Sequence, residues 1–209
     1  YDVDVLHADS IYAGGHLGAF IKTTDGGTSW NAEYKTSGIS GAIYGIDEIE
    51  PDLIYAVGTG GAIAVSNDGG ISWTSQISNT SRTLKAVHFI NTSTGWAVGQ
   101  NGTVRYTIDG GAAWLSKFLG TTKSLNDVTF APGNSNYGWI VGDSGRIHAT
   151  TDGGGTWALQ TSGVTKHLTS VSFTDSSDGF AVGQSGTIVA TVNGGASWVS
   201  FAPFTSSYI

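Results

Sequence analysis

The sequence predicts an all-β chain, a five-bladed β-propeller of four-stranded antiparallel blades. Three observations predict it. One phrase recurs five times at nearly constant spacing, four short strand-like segments recur with it, and no stretch carries the sustained apolar period of a helix. The phrase reads TTDGGTSW at 23–30, SNDGGISW at 66–73, TIDGGAAW at 107–114, TTDGGGTW at 150–157 and TVNGGASW at 191–198. Its tryptophans Trp30, Trp73, Trp114, Trp157 and Trp198 stand 43, 41, 43 and 41 residues apart. A period of about 42 residues marks a repeat array, and four strands in that length make a propeller blade.

Each element follows in order along the repeat. The first strand is the apolar alternation of LKAVHF (84–89), LNDVTF (125–130) and LTSVSF (168–173), with Val3 and Ile46 at the register of Val87, Val128 and Val171. The second opens on an aromatic, Tyr12, Tyr55, Trp96, Trp139 or Phe180, and ends three residues later at Gly15, Gly58, Gly99, Gly142 or Gly183. A second glycine three residues on, Gly18, Gly61, Gly102, Gly145 or Gly186, closes a VGxxG turn into the third strand, such as TVRYTI. The fourth strand leaves from the tryptophan, as in AWLSKF. β-branched and aromatic residues bounded by Gly, Asn, Asp and Ser fit short strands and tight hairpins. The repeats run over about 1–35, 36–78, 79–119, 120–160 and 161–202, so 1–202 reads as one propeller domain and 203–209 as a tail.

Composition narrows the function classes. The chain is 39% hydrophobic with 32 glycines, enough apolar material for a core and many tight turns. No apolar run is long enough for a membrane span. The net charge is −7 and the lysines and arginines are scattered, which argues against nucleic acid or an anionic membrane as the main partner. Cysteine is absent, so there is no disulfide framework, thiolate nucleophile or thiolate metal site. Methionine is absent too, which fits a processed chain, and the expected location is extracellular or periplasmic. Sequons at Asn79, Asn91 and Asn101 matter only in a source that glycosylates secreted proteins.

The phrase Ser/Thr-x-Asp-x-Gly-x-x-Trp resembles the Asp-box, or BNR repeat, of sialidases and related propellers. The longer GWAVGQNGTVRYTIDGGAAW (95–114), with FAVGQSGTIVATVNGGASW (180–198), is similar to the repeat of the photosystem II assembly/stability factor family. The resemblance covers nearly the whole chain. It implies that the Asp-box lies on the hairpin between the third and fourth strands, away from the usual binding face. Asp25, Asp68, Asp109, Asp152 and Asn193 therefore read as structural turn acceptors, and the asparagine at 193 fits a turn that needs an acceptor rather than a charge. Trp30, Trp73, Trp114, Trp157 and Trp198 read as packing over that hairpin, and Trp96 and Trp139 as core or inter-blade aromatics.

No convergent chemistry emerges. A sialidase would need three arginines on one carboxylate, and Arg82, Arg105 and Arg146 are the only three and fall at different repeat positions. The photosystem factors imply an arginine-rich partner patch, which these three do not reproduce. A glycosidase needs two facing carboxylates, for which Asp4 with Asp47, or Asp127 with Asp143, are candidates, with solvated surface as the default reading. The histidines His7, His16, His88, His148 and His167 lack metal-ligand spacing, so no metal and no cofactor is expected. His88 shares its position with Asp4, Asp47, Thr129 and Ser172, a row read as polar and solvent-filled.

Binding is best placed on the VGxxG turns and the inter-blade links, because loops on a rigid scaffold commonly carry it. The turn residues singled out are His16, Thr59, Gln100, Asn101, Asp143 and Gln184; Tyr34, Lys35, Ser78, Arg82, Lys123 and His167 stand on the links. The leading reading is a secreted, non-catalytic scaffold or protein-interaction module, able to self-assemble through the tail 203–209. The second is a carbohydrate-binding propeller using the VGxxG face, and the third a glycoside hydrolase.

Overall fold

The computed structural model describes residues 1–7, 9–33 and 39–201, and within them it is a five-bladed β-propeller. Blade 1 is β1 (Asp2–His7), β2 (Ser10–Gly14), β3 (Phe20–Thr23) and β4 (Asn31–Glu33). Blade 2 is β5 (Ile43–Glu50), β6 (Leu53–Gly58), β7 (Ile63–Ser66) and β8 (Thr74–Gln76). Blade 3 is β9 (Leu84–Phe89), β10 (Gly95–Gly99), β11 (Val104–Thr107) and β12 (Leu115–Ser116). Blade 4 is β13 (Leu125–Ala131), β14 (Asn134–Gly142), β15 (Arg146–Thr150) and β16 (Ala158–Gln160). Blade 5 is β17 (Leu168–Phe173), β18 (Gly179–Gly183), β19 (Thr187–Thr191) and β20 (Val199–Phe201). Each is an antiparallel meander in sequence order, and the only helical pieces among the described residues are single 3-10 turns. The tail 203–209 and the link residues Tyr34 and Lys35 lie outside the described residues.

The predicted register holds. Val3, Ile46, Val87, Val128 and Val171 face Ala13, Ala56, Ala97, Ile140 and Ala181 across the first hairpin of their blades. The chain divides into two compact units: Tyr1–Gly99 with Thr103–Lys117, and Gln100–Gly102 with the residues from Phe118 onward. In the first unit the core lies between blades 1 and 2 (Tyr12, Phe20, Ile43, Ile46) and between blades 2 and 3 (Tyr55, Val57, Leu84, Phe89). In the second it lies between blades 4 and 5 (Trp139, Val141, Leu168, Phe173). A four-stranded blade cannot bury both faces alone, so stacking successive blades supplies the core, at about 1.5–3 kcal/mol for each large apolar side chain fully buried.

The repeated aromatic of the second strand makes the blade-to-blade contact. Tyr55 stacks on Phe89 at 3.8 Å between ring centroids and Trp139 on Phe173 at 3.3 Å. Their polar ends also cross to the next blade, Tyr55 Oη donating to Gly110 O at 2.9 Å and Trp139 Nε1 to Gly194 O at 3.1 Å. Trp139 is thus inter-blade packing, as its repeat position predicted. Gln76 and Gln160 add a two-ended clamp, each donating Nε2 to the same glycine carbonyl and accepting from Trp114 or Trp198 Nε1.

The acids of the first strand depart from their predicted solvated role. Asp2 accepts the Ile46 N–H, Asp4 the Glu48 N–H, Asp47 the Phe89 N–H at 2.6 Å and Asp127 the Val171 N–H at 2.9 Å. The first strands of blades 1 and 2, 2 and 3, and 4 and 5 adjoin without a ladder between them, so a main-chain donor facing that seam needs a side-chain acceptor. Burial raises the pKa of Asp47 well above the usual carboxylate value. Asp4 and Asp47 are therefore not a solvent-filled pair across a cleft; each is engaged with the next blade's backbone.

The Asp-box sits on the third-to-fourth strand hairpin, as the resemblance implied. Its centre is the hydroxyl that opens the phrase. Thr23, Ser66, Thr107, Thr150 and Thr191 are all buried, and each donates to the following Asp or Asn Oδ1 at 2.7–2.9 Å. The Ser or Thr hydroxyl oxygen also accepts two main-chain N–H groups, from that Asp or Asn and from the second glycine. The N–H of the first glycine bonds back to the first hairpin, as Gly110 N does to Ser93 O at 2.8 Å. Both glycines have positive φ, for example 69° and 84° at Gly110 and Gly111. Asn193 keeps the geometry without charge, accepting the Ser197 N–H at 2.9 Å. Trp30 is more exposed than its fellows, at 42%, with its ring still lying over Gly27 of its own hairpin.

The Ser72 hydroxyl, the Ser72 N–H and the Ser66 hydroxyl hold the Asp68 carboxyl down to about 2, from an ordinary 3.8. A depressed carboxylate contributes stability above its unfolded value and loses it as pH falls toward the folded one. We expect Asp68→Asn to fold like the wild type at neutral pH, on the precedent of Asn193. It should lose less stability than the wild type between about pH 4 and about pH 2. Denaturant midpoints measured across that window check this; an unchanged acid loss would refute it.

Candidate binding site on the VGxxG edge

The VGxxG turns are held from both sides by the inter-blade links. The N–H of the first variable residue donates to the link entering its own blade: Thr59 N to Ala42 O, Asp143 N to Ser124 O and Gln184 N to His167 O, at 2.9–3.0 Å. A Cβ on Gly58, Gly142 or Gly183 would collide with that same link carbonyl. The closing glycine meets the outgoing link: a Cβ on Gly61 or Gly145 would strike the carbonyl of Thr80 or Val164, and φ there is 76° or 71°. Only the two central side chains are free to vary, which accounts for their diversity.

The structure spreads the sequence-predicted residues along these turns. His16, Thr59, Gln100, Asn101 and Gln184 are exposed and Asp143 is partly buried. Asn101, with φ 56°, takes the left-handed position that asparagine tolerates. Thr59 is already engaged: its hydroxyl accepts the Ala42 N–H at 3.0 Å and donates to Ala42 O. Gln100 and Asn101 belong to the second unit, and His16 and Thr59 to the first.

In the second unit, Asp143 gathers partners. His167 Nδ1 lies 2.6 Å from Asp143 Oδ1, and Asn126 Nδ2 donates to the same oxygen at 3.1 Å. Asn126 also donates to Leu168 O at 2.7 Å, tying blade 4 to blade 5. Asp143 is thus not the solvated acid expected from sequence, nor does it stand open opposite Asp127. Asp127 is bound to the Ser170 hydroxyl and the Val171 N–H.

Beside this cluster is a cavity of about 350 Å³ lined by Lys123, Ser144, Arg146, Gln160, Thr161 and Val164, among others. Two cations at one cavity, in a chain of net charge −7, make a local site for an anionic group. The cavity offers two cations and several hydroxyl and amide groups at a concave surface, and Ser144, which lines it, follows Asp143 of the imidazole–carboxylate pair in the chain. Among the described residues there is no group of three or more His, Asp or Glu able to hold a metal ion. Asn126 and Arg146 were not chosen as site residues from sequence. The available signal was departure from the repeat, since Asn126 stands where the other blades have Tyr1, Tyr44, Lys85 and Thr169.

The chain belongs to the family described as Photosynthesis system II assembly factor YCF48, whose sequence profile matches residues 67–157 and 111–203. Among solved structures it is similar to YCF48 from Cyanidioschyzon merolae, with a TM-score of 0.72 and 17% identity over 92% of this chain. That match spans 66% of the relative, less than two thirds of its length. It is also similar to a YCF48 bound to D1 peptide, with a TM-score of 0.55 and 12% identity, covering 95% of this chain and 79% of the other. A GH74 enzyme from Niastella koreensis gives a TM-score of 0.74 and 19% identity, covering 93% of this chain and 36% of the enzyme. At such identities these structures show the fold. A comparison with curated proteins finds no match.

Proposed function

We propose that this chain is a non-catalytic protein-interaction propeller that takes an extended, carboxylate-bearing peptide segment on the VGxxG edge of blades 4 and 5. The observation that carries the reading is the cavity holding Lys123 and Arg146 next to the Asn126–Asp143–His167 cluster. Family membership supports a protein partner, and the D1-peptide complex of a YCF48 supports the peptide class. The non-catalytic part rests on the acids: Asp2, Asp4, Asp47, Asp127 and Asp143 are all engaged in holding the fold. The test is an array of extended peptides, acidic and neutral. Acidic peptides should bind, and Arg146→Glu or Lys123→Glu should weaken them roughly tenfold or more. Equal binding of neutral peptides, or indifference to both charge reversals, would overturn it. Glycan capture lost on Gln100→Ala, Asp143→Ala and Gln184→Ala would favour the carbohydrate-binding alternative, and hydrolysis of a chromogenic glycoside the enzymatic one.

A further inference from the structure

Blade 4 has the strand order β13-β14-β15-β16, so β16 is paired with β15 on one side and open on the other. The cavity that holds Lys123 and Arg146 is lined by six consecutive residues, 159–164, which begin in β16 and continue into the link. Part of its wall is therefore the main chain of an open strand. Proteins commonly blunt such an edge with a charge or a proline. The stretch 157–164 contains neither, whereas blade 3 carries Lys117 at the position of Gln160.

The register says which groups point outward. Ile147 pairs with Gln160 and His148 with Leu159. In blade 3 the N–H of Lys117, at the Gln160 position, donates inward to Val104 O at 3.2 Å. Main-chain groups of an antiparallel strand turn alternately to its two sides. Gln160 thus turns its N–H and C=O toward β15, and Leu159 and Thr161 turn theirs toward the open edge. The side chains follow the same period. One residue beyond the Ile147–Gln160 pair, Arg146 stands across from Thr161, on the face that also holds Leu159. Leu159 is 61% exposed. Gln160, on the other face, is tied to blade 5 through Gly194 O and Trp198 Nε1.

We propose that the acidic peptide adds to β16 as a fifth strand of blade 4, its main chain pairing with Leu159 and Thr161. Two of its side chains, two residues apart, lie on the Leu159 face: an apolar one against Leu159 and a carboxylate beside Thr161, directed at Arg146. This rests on the acidic-peptide reading of the same cavity and adds to it a binding mode and a residue pattern. In strand addition the main chain supplies affinity and alternate side chains supply specificity. The added strand lies about 10 Å from β15, a gap that arginine and glutamate side chains span from its two ends.

The test uses the whole chain and extended peptides carrying one glutamate and one leucine. With the two residues two apart, in either order to cover both strand directions, binding should be roughly tenfold tighter than with the same residues adjacent. N-methylation along the peptide should weaken binding roughly tenfold at alternate positions and little between them. Amide exchange followed by NMR should slow at Leu159 and Thr161 when peptide is bound. A peptide that binds through Arg146 yet leaves both amides unprotected, or that binds equally well with adjacent residues, overturns the strand addition and leaves the acidic-peptide reading standing. Failure of every acidic peptide to bind overturns both.

Discussion

Thr107→Val should destabilise the protein by about 3 kcal/mol, while Thr107→Ser should cost under about 1 kcal/mol. Valine matches threonine in shape, so the change removes one oxygen and leaves no cavity. That oxygen is fully buried, donates to Asp109 Oδ1 at 2.7 Å, and accepts the N–H groups of Asp109 at 3.3 Å and Gly111 at 2.8 Å. The Gly111 N–H is buried with it, and leaving such a donor unpaired costs about 1–3 kcal/mol. The longer bond to Asp109 N adds less. Serine keeps the hydroxyl and loses only a methyl, and Ser66 already fills this role in blade 2. Thermal unfolding should place the valine variant roughly 10 °C below the wild type, at about 2–4 °C per kcal/mol for a chain of this size. Equal midpoints for valine and serine would mean that the aspartate and the glycines hold the turn without the hydroxyl.

The period, the four strands and their register were legible because the repeat states each five times over, so a lapse at one position is corrected by four others. The Asp-box acids were legible as turn acceptors for the same reason, and Asn193 marked the requirement as an acceptor rather than a charge. The hydroxyl at the head of the phrase was visible but not singled out. Ser and Thr are common turn residues, and only burial distinguishes a hub from decoration. The seam carboxylates were misjudged because they do not recur in every blade. Blade 3 has Ala86 and His88 where blade 1 has Asp2 and Asp4, so the pattern looks like scattered surface charge. Asp143 and His167 are separated by a whole hairpin and a link. They meet because the Gln184 N–H pins the VGxxG turn of blade 5 to His167 while the Asp143 turn borders the same link. No spacing rule encodes that meeting.

Gly145→Ala should cost about 3 kcal/mol or more, whereas Gly163→Ala should cost about 1 kcal/mol. The two glycines share a backbone conformation, φ 71° and 76°, so the penalty for placing an L-residue in the left-handed region is common to both. They differ in space. A Cβ on Gly163 meets nothing within 4 Å, while one on Gly145 would collide with the Val164 carbonyl and crowd the Ser162 hydroxyl. A backbone carbonyl cannot swing aside as a side chain would, so either the link from blade 4 to blade 5 moves or the turn does. Ser162 lies under that link and bonds Val164 through both its hydroxyl and the Val164 N–H, which resists the first. Gly145 also lines the cavity with Lys123 and Arg146, so the same collision displaces the surface assigned to the peptide. The alanine at 145 should therefore lower both the unfolding midpoint and acidic-peptide binding, and the alanine at 163 should leave the midpoint within a few degrees of wild type. Equal losses for the two variants would show that conformation alone fixes these glycines, and that the link does not clamp the VGxxG edge.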